Sequence, residues 1–351
     1  MNRRVFLRRA AWMGGALLAG TPLAAAARVA DGRKVRWKMV LAWTRDMELF
    51  KRGAIRFARR VSLLSESRLA IDVSVAPEGM TPSDVLGMLE RDEVHCSHCF
   101  ARDLAPRSPA LEWFSSVPFG LTPAGYDAWL YGMGGAALWK QACEPLGFYP
   151  RSMGDTGPVR FGWSNRNLNG LDDFKGLRVP AQGVVSDVLA RAGALPVLPE
   201  DGTPTVSALA SGRLDAASWH GLFHERELGF HKAARMSWGP AWQAPAGRMM
   251  LCLNRKAFEA LPASLRIIIN ASAVEEDHRL SADFTARNAR AMAALVTGDS
   301  SILRGIAPEA LTAFRRWSHE AAGDRAASST LARTVRDSYL KALGELNAGK
   351  E

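Results

Sequence analysis

From Val35 the chain reads "VRWKMVLAW", in which apolar and polar positions alternate singly and β-formers predominate, the period of a strand. In "MELFKRGAIRFARRVSLLS" the apolar positions recur every three and four residues, which predicts an amphipathic helix. The two periods alternate again: "RLAIDVSVA" predicts a strand, "TPSDVLGMLERDEV" a helix opened by Thr81, Pro82 and Ser83, and "VHCSHCF" a third extended run. Strand, helix, strand, helix, strand predicts a mainly parallel sheet covered by helices.

A second alternating region begins near "VRFGWSN". It continues through "LDDFKGLRVP", a helix at "GVVSDVLARAGA", a short strand at "PVLP", a helix at "TVSALASGRLDAAS" and a strand around Trp219. From Ala263 the pattern is helical for more than thirty residues without Pro or Gly. At ~1.5 Å per residue such a helix runs some ~50 Å, wider than one small domain, and is expected to tie two lobes together.

The N-terminal "MNRRVFLRRAAWMGGALLAGTPLAAAARVADG" has a different plan: arginines, a short apolar run, then alanines suited to A-x-A cleavage. Residues 1–27 therefore read as an export signal, cleaved near Ala26 or Ala27, and Asn2 to Leu7 match the twin-arginine form. The apolar run is shorter than the roughly 20 residues of a spanning helix. The expected location is the periplasm. Of 351 residues, 48% are hydrophobic, which supports a packed core and excludes disorder. Subtracting Arg3, Arg4, Arg8 and Arg9 from the formal charge of +10 leaves +6. The basic residues are interspersed with acidic ones, which excludes a nucleic-acid surface and suits an anionic ligand. Four cysteines in so long a chain are not a disulfide framework.

The stretches "WKMVLAWTRD", "VPFGLTPAGYDAWLYGMGG", "GDTG", "LDDFKGL", "ALASGRLDAASW", "GFHKAAR", "NRKAFEALP" and "TARNARAMAAL", in this order from Trp37 to about Leu295, resemble one family. It is that of the extracytoplasmic substrate-binding proteins of tripartite ATP-independent periplasmic (TRAP) transporters, in the branch handling α-keto and related carboxylic acids. The resemblance implies an α/β, periplasmic-binding-protein-like fold: two α/β lobes, a ligand cleft, hinge segments and a long helix spanning both. On that plan residues 34–155 form lobe I, rejoined by 247–270, and 156–246 form lobe II. Residues 263–296 are the spanning helix and 301–351 the C-terminal helices. The implied partners are a small organic anion, a carboxylate above all, and the transporter's membrane subunits, with no chemistry done on the ligand. Some relatives also dimerise through a swapped helix, so a homodimer belongs to the expectation.

Carried over residue by residue, the family's carboxylate-clamping arginine falls on Arg178 when counted from "RVP", and on Pro180 when counted without a gap. Arg102 and Asp103 stand where the family has tyrosines, which makes Arg102 a second candidate anion contact; Arg160 is a third. Trp219 and Trp242 match family tryptophans and are expected as cleft walls, and His98 coincides with a family histidine. The family's metal ion is held by a glutamate before the tryptophan and by an upstream glutamine. Here Ser218 and Val159 occupy those positions, which removes two oxygen ligands and puts the metal in doubt.

The stretch "HCSHC", His95 to Cys99, leaves three readings open: a metal site, a redox pair, or a packed strand end. On a strand Cys96 and His98 share one face while His95 and Cys99 share the other, and residues three apart lie ~10 Å apart. A disulfide needs Cα atoms about 5.5 Å apart, and a closed zinc site needs four ligands, so either chemistry requires a turn or distant partners such as His220 or His224. The alternative function, an exported metal-binding protein or oxidoreductase built on His95, Cys96, His98 and Cys99, lacks any paired CxxC array, H-E-x-x-H or G-x-S-x-G. The binding protein is the favoured reading.

Overall fold

The structure, a computed structural model, describes residues 34–43, 47–197, 204–298 and 302–348. The export signal read at residues 1–27 lies outside the described residues. Strands β1 (Val35–Leu41), β2 (Leu69–Val75) and β3 (Cys96–Phe100) are joined by α1 (Glu48–Leu64) and α2 (Pro82–Glu90). α1 buries Leu49, Phe50, Ala54, Phe57, Ala58 and Val61, the three-and-four spacing of its sequence. α2 starts where expected because Thr81 Oγ1 accepts from Asp84 N at 3.2 Å while Asp84 Oδ2 accepts from Thr81 N at 2.8 Å.

After α3 (Pro123–Asp127) and α4 (Gly135–Cys143), β4 (Phe148–Asp155) leads out of this part of the chain. There follow β5 (Gly162–Ser164), β6 (Arg178–Val179), α5 (Gly183–Arg191), β7 (Leu195–Pro196), α6 (Thr205–Ala210), β8 (Ala216–Ala217), α7 (Leu222–Glu227), α8 (Phe230–Ala233) and β9 (Met236–Gly239). β10 (Arg248–Asn254) returns, followed by α9 (Arg255–Glu259), α10 (Ala263–Gly298), β11 (Ile302–Gly305), α11 (Pro308–Ala327) and α12 (Thr330–Asn347). The first sheet has the order β2-β1-β3-β10-β4, parallel except for β10, which runs against β3 and β4. The second has the order β11-β9-β5-β8, and β6 pairs with β7 alone.

Two local readings change. The helix expected through "TVSALASGRLDAAS" stops at Ala210, because Gly212 adopts φ 71° and turns the chain into β8. The strand expected around Trp219 ends at Ala217, which leaves Trp219 in the following connection. The C-terminal region also supplies β11, parallel to β9, beside its helices.

α10 is the shared beam. Its Leu265, Ile269, Ala273, Leu280 and Phe284 join α1 and the first sheet in one core, while Ala291 and Leu295 join the core of the second sheet. At Gly53 a Cβ would lie 2.9 Å from Leu280 Cδ2, so the missing side chain is what lets α1 and α10 approach this closely. Arg56 fixes the crossing with an ion pair to buried Glu276 at 2.7 Å. Among the described residues no helix is long and apolar enough to cross a membrane.

Candidate functional site

The C-terminal ends of β1 and β3 open into a cavity of about 1480 Å³ whose other walls come from residues 180–185 and 218–220 and from the crossing segments near Thr156 and Gly247. Such a crevice at strand carboxyl ends is where open α/β sheets bind ligands. The crossing segments are pinned to each other. Asp155 Oδ1 accepts from Gly157 N at 2.8 Å and from Gly247 N at 3.0 Å, and Thr156 N donates to Gly247 O at 3.1 Å. A Cβ on Gly247 would stand 2.0 Å from Thr156 Oγ1, so only glycine permits this approach. Asn288 of α10 adds a clip, donating to Thr156 O and accepting from Phe223 N, each at 2.9 Å.

The stretch "HCSHC" is largely strand β3, in the middle of the sheet and buried along its length. Cys96 faces the core of α1 and α10, whereas Cys99 faces the opposite core with Cys252 and Cys143. Burial pushes the thiols of Cys96, Cys143 and Cys252 up, away from the thiolate that metal binding or exchange needs. All four cysteines are free. His95 sits apart, stacked on Trp37 and accepting from Lys38 N at 3.0 Å.

His98 is wholly buried and lies behind the wall of the cleft. Its Nε2–H donates to Met153 O at 2.9 Å and its Nδ1 accepts from Trp43 Nε1 at 3.1 Å, which fixes the neutral tautomer and holds Trp43 at the cavity surface. Burial pushes His98 down to about 4, and likewise His224 to about 4. Both fold as neutral rings, whereas the unfolded chain takes up their protons as pH falls through about 6.5. The unfolding free energy is therefore expected to drop from pH 7 to pH 5 by about 2 kcal/mol per ring, ~4 kcal/mol for the pair, the loss continuing toward pH 4. Urea titrations at pH 7 and pH 5 measure this, and equal stabilities would exclude the neutral assignment.

Past β3 the chain makes a tight turn in which Asp103 accepts from Phe100 N at 3.0 Å. The turn carries Arg102 over the Phe100 ring, its Cζ 3.9 Å from the centroid, into the cavity wall. Among the described residues the guanidinium has no hydrogen bond and no ion pair. From the other side come Ser218, Trp219 and His220. Trp219 is held by buried Glu225, which accepts from Trp219 N at 2.9 Å and from Trp163 Nε1 at 2.8 Å. The His220 ring packs 5.1 Å from Phe100 and 6.2 Å from Trp43, so aromatics of the first sheet meet those of the second across the cleft.

The other sequence candidates do not line the cavity. Arg178 is engaged by Asp215, with Nε to Oδ2 and Nη2 to Oδ1 both at 2.9 Å. Arg160 turns to the second sheet, donating to Ser237 Oγ at 3.0 Å and to Arg304 O at 3.1 Å. Trp242 is buried among Phe119, Phe161 and Phe314 as core, while its neighbour Gln243 reaches the cavity and donates to Val159 O at 3.1 Å and Arg160 O at 2.8 Å. Sequence reasoning missed Trp43, Gln243 and the cleft position of His220. The one local signal was an aromatic or amide beside a strand end or a crossing segment.

Residues 44–325 match the model of the bacterial extracellular solute-binding proteins, family 7. A monocarboxylate 2-oxoacid-binding periplasmic protein of Nostoc sp. is 30% identical over 270 residues, 77% of this chain and 73% of that one. A TRAP periplasmic solute-binding protein of Pseudoalteromonas atlantica, with bound sodium and pyruvate, superposes with a TM-score of 0.84 at 25% identity, covering 90% of this chain and 96% of that chain. One from Colwellia psychrerythraea, with bound calcium and pyruvate, gives 0.85 at 23% identity and the same coverage, a likeness of fold.

Proposed function

Because the chain belongs to the bacterial extracellular solute-binding proteins of family 7, we propose that it captures a small organic anion, a carboxylate, in the cleft between its two lobes and delivers it to the membrane subunits of a TRAP transporter. The observation that carries this reading is Arg102: a guanidinium in a largely apolar cleft, with no counter-charge bound to it among the described residues. A carboxylate entering there meets a fork of donors already free of competitors, and closing the lobes removes the water that would screen the pair. Trp219 supplies a rigid wall, and His98 acts indirectly by holding Trp43. The lobes are residues 34–155 with 247–270, and 156–246, and their hinge is the crossing pinned by Asp155. On this reading the ligand leaves as it entered; among the described residues no hydrogen bond joins a hydroxyl of the cleft wall to a histidine. The place of work is the periplasm, reached through the signal in residues 1–27, with cleavage near Ala26 or Ala27 and the twin-arginine route as the export path.

The test is a thermal melt of the mature chain against mono- and dicarboxylates. A ligand at a hundredfold excess over its Kd adds about 2.7 kcal/mol to the folded state, which for a protein of this size is a rise of roughly 4 °C in Tm. No shift with any acid would end the carboxylate reading.

A further inference from the structure

Resting on that reading, we propose that the site takes a monocarboxylate with an apolar body and holds it without a metal ion, through Arg102 together with the neutral imidazole of His220. The relatives crystallised with pyruvate carry sodium or calcium, but the residues here do not fit such a cation. Val159 lines the cleft with no donor atom, and Ser218 brings a hydroxyl where a hard cation needs a carboxylate. Among the described residues no three His, Cys, Asp or Glu side chains gather as a metal site. Two of the four carboxylates in the cleft wall already hold backbone N–H groups. Asp103 accepts from Phe100 N at 3.0 Å, and Glu112 accepts from Val184 N at 2.9 Å beside Arg325.

The positive charge that a cation would bring is present in the protein itself. The cleft wall holds two cations, and Arg325 is bound to Asp187 at 2.6 Å, which leaves Arg102 as the free one among the described residues. The Arg102 Cζ and the His220 ring lie 3.9 Å and 5.1 Å from the same Phe100 centroid, so both groups gather at one ring of the cleft wall. Burial, and then the charge of Arg102, hold His220 well below its ordinary value. The ring therefore stays neutral, and its N–H serves as a second donor without adding charge. No hydrogen bond engages its ring nitrogens among the described residues. The Arg102 guanidinium matches one carboxylate; a second carboxylate on the ligand would find no unengaged cation among the described residues and would face Glu78, Asp103 or Asp324. The rest of the wall, including Trp43, Met47, Met80, Val184, Val185 and Trp219, offers apolar surface for a body larger than a methyl group.

The experiment is calorimetric titration of the mature chain with pyruvate, 4-methyl-2-oxopentanoate, hexanoate and succinate, each as a potassium salt in sodium-free buffer with EDTA, and again with sodium or calcium added. Pyruvate and 4-methyl-2-oxopentanoate share a head group and differ by three carbons, so burying the extra carbons is expected to tighten binding by tens of fold. Hexanoate should bind at least tenfold tighter than succinate, and EDTA should leave every affinity within twofold. His220→Ala should weaken the best ligand at least tenfold. His220→Gln, which keeps an N–H, should recover part of the loss and serves in its place if the alanine variant does not fold. The inference is overturned if calcium or sodium is required, if pyruvate or succinate is preferred, or if both His220 variants bind as the natural chain does. If no acid binds in either buffer, the carboxylate reading itself fails, a result distinct from all of these.

Discussion

Arg248→Met is expected to destabilise the protein by about 3–5 kcal/mol, the cost of breaking a buried ion cluster from one side. Arg248 is 1% exposed and stands at the meeting of three elements. Its Nη1 lies 3.2 Å from Asp277 on α10, its Nε 3.4 Å from Asp155 on β4, and its Nη2 2.8 Å from both Asp127 and Pro123 O. Methionine fills much of the same volume, so the loss is that of charge. Asp155 and Asp277, exposed 1% and 4%, would be left as two buried carboxylates without their counter-ion. In the variant Asp155, pushed up by burial and no longer opposed by the Arg248 charge, binds a proton above the ordinary carboxylate range. The folded variant then holds more protons than its unfolded form, and its deficit relative to the natural chain should shrink as pH falls from 8 to 5. Urea midpoints of both chains across that range, at constant m, read the effect. A deficit under 1 kcal/mol, or one independent of pH, would show that Arg248 is not the counter-charge on which Asp155 depends.

Arg102→Ala is expected to weaken carboxylate binding thirtyfold or more, since removing one partner of a desolvated charge pair costs about 2–5 kcal/mol. The free protein should lose at most about 1–2 kcal/mol, because Arg102 makes no ion pair or hydrogen bond among the described residues and gives up only its contact with the Phe100 ring. Lysine at this position retains a charge but not the planar fork that lies over Phe100, so it should restore binding only in part. Arg178→Ala provides the contrast. Its guanidinium is 42% exposed and already holds Asp215, so affinity should stay within twofold and the urea midpoint should move little. The reverse outcome, with Arg178 essential and Arg102 dispensable, would restore the clamp that the family motif alone suggests.

These two arginines show how far the sequence could be read. "GLRVP" aligned Arg178 with the family clamp, and nothing in that string tells that Asp215, 37 residues on, occupies its guanidinium. Arg102 was visible only as a departure, a charge where the family has a tyrosine. Its value depends on the Phe100 ring below it and on Asp103 turning away to cap the strand end. For "HCSHC" the alternation of faces along a strand already set Cys96 and Cys99 apart, and the structure places them in two different cores. His220 entered the sequence reading as a distant ligand for a zinc ion. In the folded chain it packs against Phe50 and Phe100, residues more than a hundred positions earlier, and lines the cleft.

What the sequence by itself determined was the set of elements and the family. β1 to β3 with α1 and α2, the long α10 and the ordered motifs all follow from hydrophobic period and local capping, which are encoded within a few residues. What only the tertiary structure decided was which polar groups remain unpaired at the cleft. Arg102 and Arg178 are chemically identical, and Arg160 too. Their roles differ because one faces a ring and open space while the others meet a carboxylate, a hydroxyl and carbonyl oxygens brought close by folding. Electrostatic and hydrogen-bond energies fall off over a few ångströms, and distances on that scale between remote residues are set by the packing of the whole chain.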